Sequence, residues 1–417
     1  MLTPMLCIAS TGSNHGLHPL ILVPGSGGNQ LEARLTNSYS SSSFICDPWI
    51  RSDTRNEKWY RIWFDLSIFL PPFAKCFAER LTLRFDTELD DYRNAVGVET
   101  RVPFFGSTTS LLCSVPRFKG TTEYMDTLVK SFKDMGYREE ENLFGAPHDF
   151  RYGLAAKGVP CRVGTQYLND LKQLIENATN SNGGKPVIIV SHSMGGLLVL
   201  HLLNRNPLSW RKKYIKHFIA LSTPWGGAVQ VMLTYASGYT LGVPLVDPLT
   251  VRHEQRSWES NLWLLPSSKV FDDEKPLVIS EKGSYKASNM TTFLKDIGYP
   301  EGVELYKKRI VPLVEDEQSK PPMVPITSFV GSGVDTAELL VYGKNGFDEQ
   351  PKIVYGDGDG TVNTKSLMAA ERMWEGVKEQ RFKTVKLAMV SHTDILMDEF
   401  AISEIGKQIS EINFNSF

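Results

Sequence analysis

Short runs of apolar residues alternate with amphipathic helical patterns along this chain. Leu20–Val23, Ile188–Val190 and the run HFIALS that begins at His217 contain no charge after their first residue and are rich in large aliphatic side chains. Such runs are typical of strands that are buried on both faces of a parallel sheet. Tyr124–Met135 and Val163–Asn177 have the periodicity of helices that pack on a sheet. The alternation predicts an α/β fold.

The pattern resumes in the second half of the chain. Val324–Val330, Ile353–Tyr355 and the run VKLAMV that begins at Val385 predict further strands, and Ala401–Ile412 predicts a closing amphipathic helix. After the first strand we expect a short helix from Leu31 onward.

The turn that follows Ile188–Val190 places a serine between a strand and a helix. Only the residues SHSM separate that strand from the helical pattern that opens at Gly195. An idle turn is one interpretation, because Ser and Gly are ordinary turn residues. The other is a nucleophile elbow, which exposes a serine hydroxyl above the carboxyl edge of the sheet and needs small residues two before and two after it. Ser193 is then the nucleophile, with Ser191 where Gly is usual.

A serine nucleophile needs a general base and an acid that orients it, and both follow in the expected order Ser, Asp, His. The strand pattern KIVYGDGDGTVN predicts Asp359 as the acid, with Asp357 in reserve, and VKLAMVSHTDIL predicts His392 as the base. A calcium loop is not expected, since the ligand spacing and closing Glu of an EF-hand are missing. A half-buried structural histidine is the alternative for His392.

A glycine-rich loop follows the first strand in ILVPGSGGNQLEARL. Phosphate binding is not supported, because neither a GxGxxG nor a GKS or GKT sequence is present. In a serine hydrolase such a loop supplies one backbone N–H of the oxyanion hole, and the residue after the nucleophile supplies the other. The two donors predicted in this way are Ser26 and Met194.

Two segments leave the strand and helix alternation. Phe44–Phe77 is rich in aromatic residues and predicts a cap that meets a lipid interface, with a small satellite core as the alternative. Residues 226–266, approximately, predict a lid over the site. The uncharged stretch Phe218–Val246 is broken by Pro and Gly residues, so we expect a strand and a loop there rather than a membrane span.

Composition narrows the class of protein. The 417 residues are 41% hydrophobic and carry a formal charge of −2, so a large core is expected and nucleic acid is not an expected partner. Residues 1–17 are interpreted as an N-terminal extension or the remnant of a signal, because Met1–Ser10 is apolar but lacks a basic residue. The main domain is residues 18–417.

The cysteine spacings do not suit zinc. Cys46 and Cys76 bracket the aromatic segment and would be able to staple it in an oxidising compartment, and the odd number of cysteines leaves at least one free thiol. The triplets at Asn177 and Asn289 are glycosylation sequons, which are used only in a secretory compartment. We therefore expect a protein of the secretory pathway or an endomembrane lumen, with a cytoplasmic or membrane-associated location as the alternative.

Motifs spread over nearly the whole chain resemble the lecithin–cholesterol acyltransferase family, which includes the lysosomal phospholipase A2 type, and most closely its plant LCAT-like 1 branch. They include ILVPGSGGNQLEARL, IWFDL, RVPFFGST, GAPHDFRYG, SHSMGG, TPWGG, YGDGDGTVN and SHTDIL. The resemblance implies an α/β-hydrolase fold with a cap near the membrane and a lid. It also implies acyl transfer from a phospholipid through an acyl-serine, without a cofactor or metal.

Matched motif by motif, the resemblance implies that Ser193, Asp359 and His392 form the catalytic triad and that Ser26 and Met194 supply the oxyanion N–H groups.

The resemblance also implies that Trp63 lies at the acyl site and that Cys46 and Cys76 form a disulfide. Two features of the sequence depart from the family. Ser191 stands where animal members have Gly, and no cysteine follows Cys161, so the second family disulfide is missing and activation of the animal lipoprotein type is not carried over.

The predicted function is therefore transfer of a fatty acyl chain from a phospholipid to an alcohol such as a sterol, through acyl-Ser193, at a phospholipid membrane or other lipid interface. The first alternative is a phospholipase A, in which water is the acceptor. A lipid-binding protein without turnover is the second alternative, although such a protein would not need all three triad residues.

Overall fold

The computed structural model describes residues 16–43, 46, 58–63, 71–112, 123–240, 246–271 and 275–414. The strands of this part of the chain are β1 (Leu20–Val23), β2 (Leu31–Leu35), β3 (Tyr60–Trp63), β4 (Leu83–Asp86), β5 (Asp91–Asn94), β6 (Val98–Arg101), β7 (Leu143–Gly145), β8 (Val187–His192), β9 (Ile215–Leu221), β10 (Val278–Ser280), β11 (Gly283–Tyr285), β12 (Ile326–Ser332), β13 (Val334–Val341), β14 (Lys352–Gly358) and β15 (Phe382–Ala388).

The helices of the described residues surround these strands. They are α1 (Pro71–Leu81), α2 (Asp126–Asp134), α3 (Arg162–Ser181), α4 (Met194–Arg205), α5 (Leu208–Tyr214), α6 (Val229–Ser237), α7 (Pro248–Ser257), α8 (Glu259–Trp263), α9 (Met290–Asp296), α10 (Glu301–Leu305), α11 (Thr364–Leu367), α12 (Ala369–Met373) and α13 (Glu399–Phe414). Two π-helical turns, Tyr306–Ile310 and Leu313–Glu317, follow α10.

The centre of the molecule is a six-stranded sheet in the order β15-β12-β9-β8-β1-β7. Every neighbouring pair in it is parallel. Parallel neighbours need crossover connections, and α3 and α4 provide two of them. The predicted α/β fold is confirmed, and so are the helices expected at 124–135, 163–177 and 401–412, within a few residues at each end.

The central strands bury both faces because their side chains alternate between two apolar layers. Ile21 and Ile189 belong to one core cluster together with residues of α3 and α4. Leu20 and Ile188 belong to the other cluster together with residues of α2 and α13. All four side chains are fully buried, and each such residue contributes about 1.5–3 kcal/mol. The sheet is therefore a rigid base for the turns at its carboxyl edge.

The helix predicted from Leu31 onward is wrong, because this segment is strand β2. The residues LEARL favour a helix by intrinsic propensity. In the structure Leu31 and Ala33 are buried on alternate positions, and β2 pairs antiparallel with both β3 and β6. The Arg101 side chain of β6 donates to the Glu32 carboxylate of β2 at 2.6 Å. Tertiary pairing thus overrides the local preference of this short segment.

The predicted strand Ile353–Tyr355 is part of β14, which lies outside the central sheet. It pairs antiparallel with β13, in a second sheet of order β11-β10-β13-β14. Strand β13 leaves β12 after the single residue Gly333, whose φ is 81°. Val334 pairs with Gly358 at the base of this hairpin. The hairpin therefore returns the chain to the carboxyl edge of β12, one residue before Asp359.

Most of the predicted cap lies outside the described residues, including Trp49, Phe64 and Phe69. Cys46 and Cys76 are joined by a disulfide with a Cα–Cα distance of 5.4 Å. Of the described aromatic residues, Trp63 and Phe77 belong to the main core cluster.

The segment predicted as a lid, residues 226–266, forms α6, α7 and α8, with 241–245 outside the described residues. Several of its apolar side chains belong to the main core, among them Met232, Leu262 and Trp263. Among the helices that the structure describes, none is both long and apolar enough to cross a bilayer.

A buried ionic cluster ties three separate segments together around Arg309, in the first π-helical turn. Its fully buried guanidinium lies 2.6 Å from the Glu259 carboxylate of α8 and 3.2 Å from that of Asp91 in β5. It also donates to the Asp90 backbone oxygen at 2.8 Å. Burial raises the pKa of Glu259, and the facing arginine opposes this shift.

Candidate active site

Ser193 occupies a strained turn between β8 and α4. Its φ is 53° and its ψ is −129°, a conformation that residues with a Cβ rarely adopt. The backbone N–H of Ser193 donates to the Leu221 carbonyl oxygen at 2.8 Å and fixes the turn to the end of β9. The geometry is that of a nucleophile elbow, in which the turn holds the side chain above the sheet edge.

Close contacts with neighbouring segments explain the two glycines that follow Met194. A Cβ on Gly195 would lie 2.5 Å from the Pro24 oxygen, and one on Gly196 would lie 2.0 Å from Oγ1 of Thr223. Neither position has room for a side chain. Ser191, by contrast, is a fully buried strand residue paired with Val23, so the position where glycine is usual accommodates a small polar side chain here.

The structure brings Ser193, His392 and Asp359 into one hydrogen-bonded row. Oγ of Ser193 lies 2.9 Å from Nε2 of His392, and Nδ1 of His392 lies 2.7 Å from Oδ2 of Asp359. Because the Asp359 carboxylate accepts, Nδ1 carries the ring proton and Nε2 is free to accept the serine proton. The arrangement matches the nucleophile, base and orienting acid of a serine triad.

Asp359 is fully buried and held from several sides. Its Oδ1 accepts the Val362 N–H at 2.7 Å and the Thr361 N–H at 3.1 Å. Burial alone would raise the pKa of this carboxyl, but the facing His392 and the two N–H groups hold it below its ordinary value. The His392 N–H also donates to the Asp359 carbonyl oxygen at 2.7 Å, so the acid and base loops are joined through their backbones.

Asp357, the reserve candidate for the acid, faces elsewhere. Its carboxylate accepts from Oγ1 of Thr364 at 2.6 Å and from the Gly333 N–H at 2.7 Å. These bonds, the first above all, lower its pKa. Asp357 thus anchors the base of the β13 and β14 hairpin.

The glycine-rich loop after β1 packs directly against the serine turn. A Cβ on Gly25 would lie 2.7 Å from Cβ of Ser193. Ser26 follows in this loop, and Met194 is the first residue of α4, where backbone N–H groups lack helical partners. Both predicted oxyanion donors are therefore on segments that border the nucleophile.

Trp63 is hydrogen-bonded to the glycine-rich loop. Its indole N–H donates to the Gly27 carbonyl oxygen at 2.7 Å. The ring packs at a tilt against Phe150, with centroids 5.1 Å apart, and only 8% of the residue is exposed. The resemblance implies that Trp63 lies at the acyl site, which stays a prediction. The structure shows that it also holds the loop that contains Gly27.

Tyr124 and His192 complete the surroundings of the triad and were not identified from the sequence. The Tyr124 hydroxyl lies 2.8 Å from the Gly25 N–H and 2.7 Å from Nδ1 of His192. Nε2 of His192 lies 2.8 Å from the carbonyl oxygen of His392. In the sequence, only the position of His192 next to Ser193 pointed to a role for it. No sequence feature pointed to Tyr124, because its partners are 99 and 68 residues distant along the chain.

Comparison with known proteins places this chain among acyltransferases and phospholipases. Residues 59–304, more than half of the chain, match the family model described as Lecithin:cholesterol acyltransferase. Lecithin-cholesterol acyltransferase-like 1 of Arabidopsis thaliana is 55% identical over 97% of this chain and 92% of that protein. The human lysosomal phospholipase A and acyltransferase is 33% identical over 98% of this chain and 94% of that protein.

Solved structures show the fold. The crystal structure of the Tle4–Tli4 complex matches with a TM-score of 0.54 at 13% identity, and the match covers 96% of this chain and 99% of that chain. At this identity the likeness concerns the fold alone.

Proposed function

Because the chain belongs to the lecithin:cholesterol acyltransferase family, we propose that it moves a fatty acyl group from a phospholipid to an alcohol through an ester on Ser193. The α/β-hydrolase fold positions the groups that this chemistry needs. The observation that carries the proposal is the row of short hydrogen bonds from Ser193 through His392 to Asp359.

In the first half of the reaction Ser193 Oγ attacks the ester carbonyl of the phospholipid. Nε2 of His392, 2.9 Å away, accepts the serine proton, and the buried Asp359 carboxylate stabilises the imidazolium that forms. The negative charge of the tetrahedral intermediate lies within reach of the backbone N–H groups of Ser26 and Met194. One such donor is worth about 10²–10³ in rate. His392 then protonates the leaving lysophospholipid oxygen.

In the second half His392 takes a proton from the acceptor, which attacks the acyl ester on Ser193. His392 then returns this proton to Oγ of Ser193 as that oxygen leaves. An alcohol gives a new ester and water gives a free fatty acid. The triad serves both acceptors in the same way, so their partition depends on which one enters the site. A phospholipase A is therefore the second candidate, because the human relative is named for both activities.

The acceptor is tested with phosphatidylcholine vesicles that carry a labelled acyl chain. We expect labelled free fatty acid from vesicles alone. With sterol or a long-chain primary alcohol in the bilayer, a labelled ester should appear and fatty acid should fall, because both products come from one acyl enzyme. Chromatography of the extracted lipids measures the two products.

The outcomes separate the three candidate functions. Free fatty acid alone, at any acceptor content, would contradict the transferase and leave the phospholipase. Vesicle binding without any product would favour a lipid-binding protein. Ester formed from the primary alcohol but not from sterol would limit the proposal to non-sterol acceptors.

We also propose a phospholipid bilayer or another lipid interface as the partner surface, since the human relative is named as a phospholipase A. The predicted cap, residues 44–77, is the segment proposed to meet it, and the predicted lid, residues 226–266, is proposed to close over the site.

For location we propose the secretory pathway or an endomembrane lumen. The Cys46–Cys76 disulfide supports an oxidising compartment, and Asn177 of the first sequon is exposed. Peptide mass mapping of protein from its native source, without reduction, should recover Cys46 and Cys76 joined and a glycan on Asn177 or Asn289. Free thiols at both cysteines with both asparagines unmodified would place the enzyme in the cytosol.

A further inference from the structure

A chain of three hydrogen bonds runs behind the triad, from the glycine-rich loop to the loop of His392. It passes from the Gly25 N–H to the Tyr124 hydroxyl (2.8 Å), then to Nδ1 of His192 (2.7 Å). It ends with Nε2 of His192 and the His392 carbonyl oxygen, 2.8 Å apart. All four residues belong to the part of the chain that the structure describes, and His192 is only 2% exposed.

The direction of each bond follows from its partners. A backbone N–H only donates, so the Tyr124 oxygen accepts from Gly25 and keeps its own proton for Nδ1 of His192. A carbonyl oxygen only accepts, so Nε2 of His192 must carry the ring proton and donate to His392. One neutral tautomer of His192 satisfies every bond in the chain.

The chain connects the segments whose relative placement decides the reaction. Gly25 precedes Ser26 in the loop proposed to bind the oxyanion, His192 precedes the nucleophile, and His392 is the base. The ring centroids of His192 and His392 are 4.9 Å apart. A shift of Tyr124 or His192 would therefore move the oxyanion donor and the base relative to Ser193.

We propose that Tyr124 and His192 are positioning residues that hold the oxyanion loop and the His392 loop at fixed distances from Ser193. This inference rests on the proposed function of the triad and adds two residues that touch no reacting atom. Errors of about 1 Å in such placement cost about 10²-fold in rate.

Burial keeps the His192 ring in the neutral form that this role needs. Burial, with the nearby His392 as a smaller cause, lowers the pKa of His192 to about 3. The ring therefore stays neutral near neutral pH, and it adds no positive charge when His392 becomes an imidazolium. Tyr124 also keeps its proton, because burial raises the pKa of its hydroxyl.

The test compares Tyr124→Phe with Tyr137→Phe on a short soluble ester. Tyr137 is a matched control, because it is buried and its hydroxyl also accepts a hydrogen bond. The donor is the Asn413 side chain, 2.9 Å away, which is not part of the triad or of the chain of bonds behind it. We expect Tyr124→Phe to lower kcat about 10-fold to 100-fold with little change in KM, and Tyr137→Phe to leave kcat unchanged at a similar loss of stability. Affinity for a trifluoromethyl ketone, which forms a charged tetrahedral adduct, should fall in parallel with kcat/KM.

A second pair of variants tests His192 by keeping its hydrogen-bonding groups in one variant and removing them in the other. The amide of His192→Gln offers one acceptor and one donor, as the ring does, whereas His192→Leu offers neither. We expect His192→Gln to retain most of the activity with an unchanged pH profile, since His192 does not titrate there, and His192→Leu to lose it. Thermal unfolding shows which variants are folded.

The inference is overturned if folded Tyr124→Phe has the kcat and the inhibitor affinity of the parent enzyme. It is also overturned if Tyr124→Phe and Tyr137→Phe lose activity equally, or if His192→Leu matches His192→Gln. An inactive parent enzyme would instead contradict the proposed function, so the two failures are distinguishable.

Discussion

Replacing Ser193 by alanine is expected to lower acyl release from phospholipid vesicles by about 10⁴–10⁶-fold. The variant keeps Cβ and therefore the shape of the turn, but it removes the oxygen that lies 2.9 Å from Nε2 of His392. Any residual rate would come from binding and from the backbone N–H groups alone. Labelled fatty acid is measured over time, together with cosedimentation of the protein with the vesicles.

Ser181→Ala is the matched control, since it removes a hydroxyl from the exposed end of α3, where it donates to the Asn177 carbonyl oxygen at 2.9 Å. This variant should retain full activity. Ser193→Ala should still bind vesicles. If Ser193→Ala releases fatty acid at more than a few per cent of the parent rate, Ser193 is not the nucleophile.

Replacing Arg309 by methionine is expected to lower the free energy of unfolding by about 3–5 kcal/mol. The arginine side chain is fully buried, and its loss would leave the carboxylates of Glu259 and Asp91 buried without their cation. The two carboxylates would also repel each other. Urea unfolding followed by tryptophan fluorescence measures the change, with the shift of the midpoint as the readout if the transition is not two-state.

The neighbouring residue gives a matched control. Lys308 pairs with Asp90 at 2.6 Å, but 55% of its side chain is exposed, so Lys308→Met should cost no more than about 1 kcal/mol. Adding Glu259→Gln to Arg309→Met should recover part of the loss, because it removes one of the two stranded charges. Equal destabilisation by Lys308→Met and Arg309→Met would contradict the importance of burial in this cluster.

The central fold follows from local patterns that the chain repeats. Buried strands such as Ile188–Val190 carry their signal in a few adjacent residues, because both faces of a parallel sheet demand apolar side chains. The order of Ser193, Asp359 and His392 was also visible, since each follows a strand pattern and precedes small or polar turn residues.

The parts that local patterns missed depend on distant partners. β13, with the sequence VDTAELLV, contains helix-favouring residues and was not predicted, and it becomes a strand by pairing with β14. The helix predicted for LEARL failed for the same reason. The hydrogen bonds of Trp63 and Tyr124 were missed as well. Their partners lie 36 to 99 residues away along the chain, and no local spacing encodes such contacts.

The backbone of Ser193 also has a consequence for how selection acts on this position. With φ at 53° and ψ at −129°, a residue with a Cβ stores about 1–3 kcal/mol of strain that glycine would release. Selection for a stable native state alone would therefore favour glycine at 193. A serine at this position implies that the reactive hydroxyl is retained although it lowers the stability of the native state. We therefore expect position 193 to be among the first to be substituted in lineages that lose the activity.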